Sequence, residues 1–146
     1  MSYPLLVTLH LLCATLFIGI VAFEVLILEG IRSHLPAKTM SLVEQGIHLR
    51  GRKIMPWVVV TLFVTGITMA TIHYRNIGWP LESSFGTLLM VKIILATSVL
   101  VHFILAMKHS ICGDMTSKRF KYTHLSVFFH MLLIILLAKG MFFISW

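Results

Sequence analysis

Acidic residues are scarce in this sequence. Its 146 residues include one aspartate, Asp114, and five acidic residues in all, against twelve lysines and arginines. Charged residues make up only 12% of the chain, about half the roughly 25% typical of a soluble domain. Hydrophobic residues reach 58%, with a mean hydropathy of +0.96. A water-soluble domain of this length has too little interior to hide so much apolar side chain, which excludes that class. Cysteine is nearly absent too. Cys13 lies in an apolar run and Cys112 in a short basic connection, with no CxxC pair, so no disulfide framework is encoded. Each reads as a small buried or interfacial residue. The net charge of +7 comes from basic residues lying between apolar runs and forming no stripe, which argues against a nucleic-acid partner.

What is present is four long apolar runs. They predict membrane spans at about 4–28, 54–75, 85–108 and 122–144, each about 20 residues or more. In hydrocarbon every backbone polar group must find its partner within the segment, so helices are the economical assignment. The expectation is an all-α integral membrane protein, a bundle of four transmembrane helices forming one domain over 1–146. Met1-Ser2-Tyr3-Pro4 lacks the basic n-region of a signal peptide, so the first run is expected to be retained as a helix. Trp57, Trp79 and Trp146 fall near span ends, as interfacial anchors do.

The basic residues assign an orientation. Arg32, Lys38, Arg50, Arg52 and Lys53 lie in the first connection, and Lys108, Lys118, Arg119 and Lys121 in the third. The second has only Arg75, balanced by Glu82. Positive residues gather on the cytoplasmic side, which predicts both termini outside, in the periplasm. Within the long first connection Ser41 to Arg52 reads as helical, with Leu42, Gly46 and Leu49 on one side. It is expected to extend the second helix, with Pro56 at a bend or tolerated kink.

Ionisable groups inside spans are costly and mark function, so they are the informative positions. His10 and Lys92 are expected in the outer layer, along with Lys139 and, at a helix end, His73. Glu24 lies near the inner face, with Arg50 or Arg52 as the expected partner. His102 and His130 stand at a common depth, roughly 9–12 Å from the cytoplasmic ends of their helices at 1.5 Å per residue. Histidines at matched depth on neighbouring helices suit a b-type haem, which takes an imidazole on each face of its iron. The small residues Ala14, Gly19, Gly66, Ala70 and Ala96 would give room for it. The alternative is that these histidines only hydrogen-bond across helices. His34, His48, His109 and His124 border the basic connections and read as interfacial, although His48 reaches inward if its helix continues. Lys139, 180° round its helix from His130, reads as a snorkelling side chain. Met107, His109, Cys112 and Met115 combine soft sulfur with imidazole and would suit Cu(I), although no tight chelate spacing links them.

Several of these features together resemble the HemJ and CopD group of four-helix membrane proteins, over most of the chain. His10-Leu-Leu-Cys-Ala-Thr-Leu-Phe-Ile-Gly19 is similar to that group's first-helix pattern. Arg52-Lys-Ile-Met-Pro56 with Thr65-Gly66 is similar to the entry into its second helix, and Lys92 followed by His102 to its third. Arg119-Phe120 before the last span also fits. The departures are Phe23-Glu-Val-Leu-Ile-Leu-Glu29 after the first helix, and His124-Leu-Ser-Val-Phe-Phe-His130 in place of an Asn-Glu-Pro stretch.

The resemblance implies haem b binding, a multi-pass place in a bacterial inner (cytoplasmic) membrane and, for HemJ itself, oxidation of protoporphyrinogen. His10 and Lys92 match that group's functional histidine and lysine, which makes Lys92 the candidate catalytic residue. The leading expectation is therefore a membrane redox protein with one or two haems b. His102 and His130 would be an inner axial pair and His10 an outer ligand, with Lys92 beside a propionate. Electrons would pass to or from a quinone or a porphyrin-type lipophilic substrate. The alternatives are a CopD-like copper conduit, or a structural subunit bound to a respiratory partner or to a second copy of itself.

Overall fold

The structure is a computed structural model that describes residues 2–77, 83–114 and 116–144. Trp79, Glu82, Met115 and Trp146 therefore lie outside the described residues. Helix α1 spans Tyr3–Phe23 and continues through a π turn, Glu24–Leu28, a helical turn, Glu29–Ile31, and a 3₁₀ turn, Arg32–His34. Helix α2 runs unbroken over Ala37–Ile77, α3 over Ser84–Cys112 and α4 over Ser117–Gly140. All four are long and apolar enough to cross a bilayer, the pattern of a multi-pass membrane protein.

Local chemistry sets the ends. Pro4 enters at the first turn of α1, where its missing N–H costs nothing. The Ser83 hydroxyl accepts from the Gly86 N–H at 3.1 Å and caps α3. Thr116 caps α4 in the same way, accepting from the Arg119 N–H at 3.3 Å. Gly113 ends α3 in the left-handed conformation, at φ 76°, which a residue with Cβ rarely adopts. Exposed threonines bond their own helix, as with Thr68 donating to the Val64 carbonyl at 2.7 Å and Thr97 to Ile93 at 2.9 Å. A hydroxyl facing lipid is thereby satisfied without a neighbour.

The helices form two antiparallel pairs, α1 on α2 and α3 on α4. A smaller contact of α1 and its π turn on α4 joins the pairs. Their shared core is Phe17, Val21, Val58, Val59, Val99, Val127 and Met131. A second cluster of Leu28, Met40 and Phe120 closes the end that carries the basic connections, called here the basic end. Apolar side chains such as Trp57, Leu136 and Phe143 cover the outside. That surface has no place in water and suits hydrocarbon.

The first connection does continue α2, and Pro56 sits inside the helix without ending it. Proline removes one N–H, so the Arg52 carbonyl loses its usual donor there. The packed side of this extension is not the Leu42–Leu49 side, since both of those leucines are exposed. Met40 and Glu44 are the buried residues. Arg32 makes this possible, with its guanidinium 2.8 Å from Glu29 and 2.5 Å from Glu44.

Candidate functional site

The intramembrane polar groups fall into three places. His10 is turned against α2. Its Nδ1 lies 3.1 Å from the Leu62 carbonyl and 2.9 Å from Thr65 Oγ1. A carbonyl only accepts, so Nδ1 carries the hydrogen. The Thr65 hydroxyl spends its own hydrogen on the Thr61 carbonyl at 2.7 Å, leaving its oxygen to accept from His10. Nε2 of His10 is therefore a bare lone pair, and no described residue bonds it. Gly66 permits the approach, because a Cβ there would stand 3.1 Å from His10 Cε1.

His102 and His130 also come together, with ring centroids 5.4 Å apart and planes 49° to each other. Each ring donates Nδ1–H to its own helix four residues back, His102 to the Ser98 carbonyl and His130 to the Ser126 carbonyl, both at 2.8 Å. Each Nε2 then accepts from the serine of the other helix at 3.2 Å. Ser126 donates to His102 and Ser98 to His130. Two Ser-x-x-x-His repeats on antiparallel helices thus interlock. A haem with two axial histidines needs the Nε2 atoms facing each other across a porphyrin plate. Here each is capped by a hydroxyl, and the two helices are in direct contact. The matched depth is right, but the arrangement differs from the facing pair expected.

The third place lies towards the basic end. Glu24, at the head of the π turn, is only 6% exposed. Its Oε2 stands 2.8 Å from His124 Nε2, and neither Arg50 nor Arg52 takes the partnership expected of them. Arg52 instead donates to the Ser110 carbonyl at 3.2 Å, satisfying an acceptor left open near the end of α3. The other nitrogen of His124 donates to the Phe120 carbonyl at 2.8 Å, and its ring is mostly enclosed. Glu24 Oε2 and His124 Nε2 thus face each other in a place enclosed from water. His48 reaches inward as its continued helix predicts, with its ring edge-on to Phe120 at 4.8 Å. The sequence pointed to Glu24 by its depth and did not assign His124 as its partner.

Of the soft-ligand group, Met115 lies outside the described residues. No group of three or more His, Cys, Asp or Glu that could hold a metal ion occurs among the described residues. His109 turns to Asp114 at 3.0 Å instead. Gly19 has open space where a side chain would begin, whereas Gly66 stands against the His10 ring. Compared with protein families, curated proteins and solved structures, the chain matches none of them.

Proposed function

We propose that the protein is a membrane redox protein that binds haem b through His10. One observation carries this reading: the His10 ring sets Nδ1 against the Leu62 carbonyl and Thr65 Oγ1, the arrangement that presents Nε2 as a bare lone pair. Haem-ligating histidines characteristically donate their other ring N–H to a neighbouring acceptor, which fixes both tautomer and orientation. Leu62 and Thr65 do this here, and Gly66 supplies the clearance. The donor set therefore fits the group at this position. Lys92 offers a cation for a propionate, a charge that burial beside it would otherwise leave uncompensated.

When bound, the haem supplies one-electron chemistry. The chain's part is to hold the iron ligand, exclude water with its apolar helices, and exchange electrons with a lipophilic partner such as a quinone. His102 and His130 tie α3 to α4. By the positive-inside rule the basic end faces the cytoplasm of a bacterial inner membrane, with both termini outside.

The test is a dithionite-reduced minus air-oxidised spectrum of detergent-purified protein made in haem-replete cells. A b-type α band lost in His10→Ala and kept in His130→Ala is the expected result. A flat wild-type spectrum overturns the reading, and a band lost only in His130→Ala moves the ligand to the α3–α4 pair.

A further inference from the structure

The two helix pairs do not close evenly on each other. α1 and its π turn rest on α4, whereas α2 and α3 share only a light contact. At the basic end this leaves a half-open cleft of about 310 Å³ among the helices. Its walls are mostly apolar, with Phe17, Ile54, Met55, Phe103 and Met107 among them. The volume is at the lower end of small-molecule sites, which run from about 300 to 1,000 Å³. It has the size for a stretch of hydrocarbon chain.

Two arginines of α2, Arg50 and Arg52, stand at this cleft. Arg52 donates one N–H to the Ser110 carbonyl of α3 at 3.2 Å, which holds its guanidinium at the gap between α2 and α3. A guanidinium has five N–H donors, so others remain for an anion. Arg50 is exposed. The described carboxylates are all taken by other groups: Glu24 by His124, Glu29 and Glu44 by Arg32, and Asp114 by Arg119. Among the described residues, then, no carboxylate neutralises Arg50 or Arg52. Basic residues gather at this end for reasons of topology alone. What sets these two apart from Lys38 is the apolar cleft beside them. Positive charge without an internal counter-ion, placed against a chain-sized apolar cleft, calls for an anion that carries hydrocarbon. Basic pockets between membrane helices on the cytoplasmic side take anionic lipid headgroups in this way.

We propose that this cleft binds one anionic phospholipid, with its phosphate held by Arg50 and Arg52 and one acyl chain lying along the apolar walls. The inference concerns binding alone, and it stands on the cleft and its unneutralised arginines, independently of any haem at His10. A zwitterionic lipid meets the site less well, because its ammonium group cancels the charge that the arginines lack. A soluble phosphate ester supplies the anion and leaves the cleft unfilled.

The experiment is native mass spectrometry of the full chain, delipidated in neutral detergent. It is titrated with phosphatidylglycerol or with phosphatidylcholine of the same acyl chains. Saturable binding of one phosphatidylglycerol, with phosphatidylcholine at least tenfold weaker, is the expected result. Arg50→Gln and Arg52→Gln should each weaken binding about fivefold, the effect of one basic side chain at an anionic membrane surface. Ala106→Phe, which fills the cleft and leaves every charge in place, should weaken it at least tenfold. Lys38→Gln removes a charge from the same end but away from the cleft, and should leave binding within about twofold. Equal binding of the two lipids, or a loss in Lys38→Gln as large as in Arg50→Gln, means diffuse attraction and overturns the proposal. Binding that survives Ala106→Phe, or that glycerol phosphate displaces, overturns it too, since the chain then plays no part. If Arg52→Gln or Ala106→Phe does not fold, Arg50→Gln and the two lipids on the wild type decide the matter. The outcome is separable from the haem question. Protein that lacks a haem band yet selects the anionic lipid loses one reading and keeps the other, and the reverse result does the opposite.

Discussion

His102 and His130 hold each other's helices by exchange. Each imidazole is anchored to its own backbone through Nδ1 and receives, at Nε2, the hydroxyl of the serine one turn before its counterpart. The near-symmetry of the two halves follows from an antiparallel pair carrying the same spacing, Ser98 to His102 and Ser126 to His130. Hydrogen bonds of this kind replace, inside a bilayer, the hydrophobic drive that lipid cannot supply between helices.

This exchange predicts how the α3–α4 pair responds to mutation. Ser98→Ala and Ser126→Ala should each destabilise by about 0.6 kcal/mol, the average for such bonds in membranes. The double variant should come close to the sum, because the two bonds are separate donors on separate rings. Reversible unfolding in mixed micelles measures all three. A coupling well above the sum would mean that the four residues act as one network.

Gly66 should be intolerant of a side chain. The Cβ of Gly66→Ala would stand 3.1 Å from His10 Cε1, in a contact where the ring is already fixed by two acceptors. Overpacking of this sort costs about 1–3 kcal/mol. If His10 ligates haem, Gly66→Ala and Thr65→Ala should also weaken the haem band, while Thr65→Ser, which keeps the hydroxyl, restores it. Haem titration of the apoprotein followed by absorbance reads both.

The charge cluster at the basic end should grade with exposure. Arg32 bridges Glu29 and the buried Glu44, while Lys121 reaches Glu29 from a half-exposed position at 2.6 Å. Arg32→Gln is expected to cost about 1–3 kcal/mol, because its partner is desolvated. Lys121→Gln should cost less than about 1 kcal/mol. Thermal midpoints of the two variants, compared at low and high salt, test the ordering. Only the Lys121 effect should vanish in salt.

Asp114 provides a pH-dependent cap beyond the end of α3. The hydrogen bond from His109, with the charge of Arg119 nearby, holds its carboxyl below the ordinary carboxylate range. A depressed folded value means that the stabilisation is fully present above the unfolded value of about 3.8. It fades as the pH falls through the lower folded value. His109→Ala should therefore move the Asp114 titration upward, as read by carbon NMR of the labelled carboxyl. No movement would remove His109 as the cause.

Much of this protein is written in its one-dimensional pattern. Four apolar runs of bilayer length, so few acids and so little polar surface leave only transmembrane helices, because hydrocarbon cannot satisfy an open backbone. Helical rise alone put His102 and His130 at one depth, and residue type alone marked Glu24, His10 and Lys92. What the pattern could not contain was rotation about each helix axis and the choice of neighbour. Those depend on how four nearly uniform apolar surfaces pack. Packing turned His10 towards Thr65, gave Glu24 to His124 in place of an arginine, and drew Arg52 to the end of α3. It faced Leu42 and Leu49 outward and enclosed Glu44, reversing what a simple apolar stripe suggests. Depth follows from counting residues along a helix, but partnership follows from three-dimensional packing.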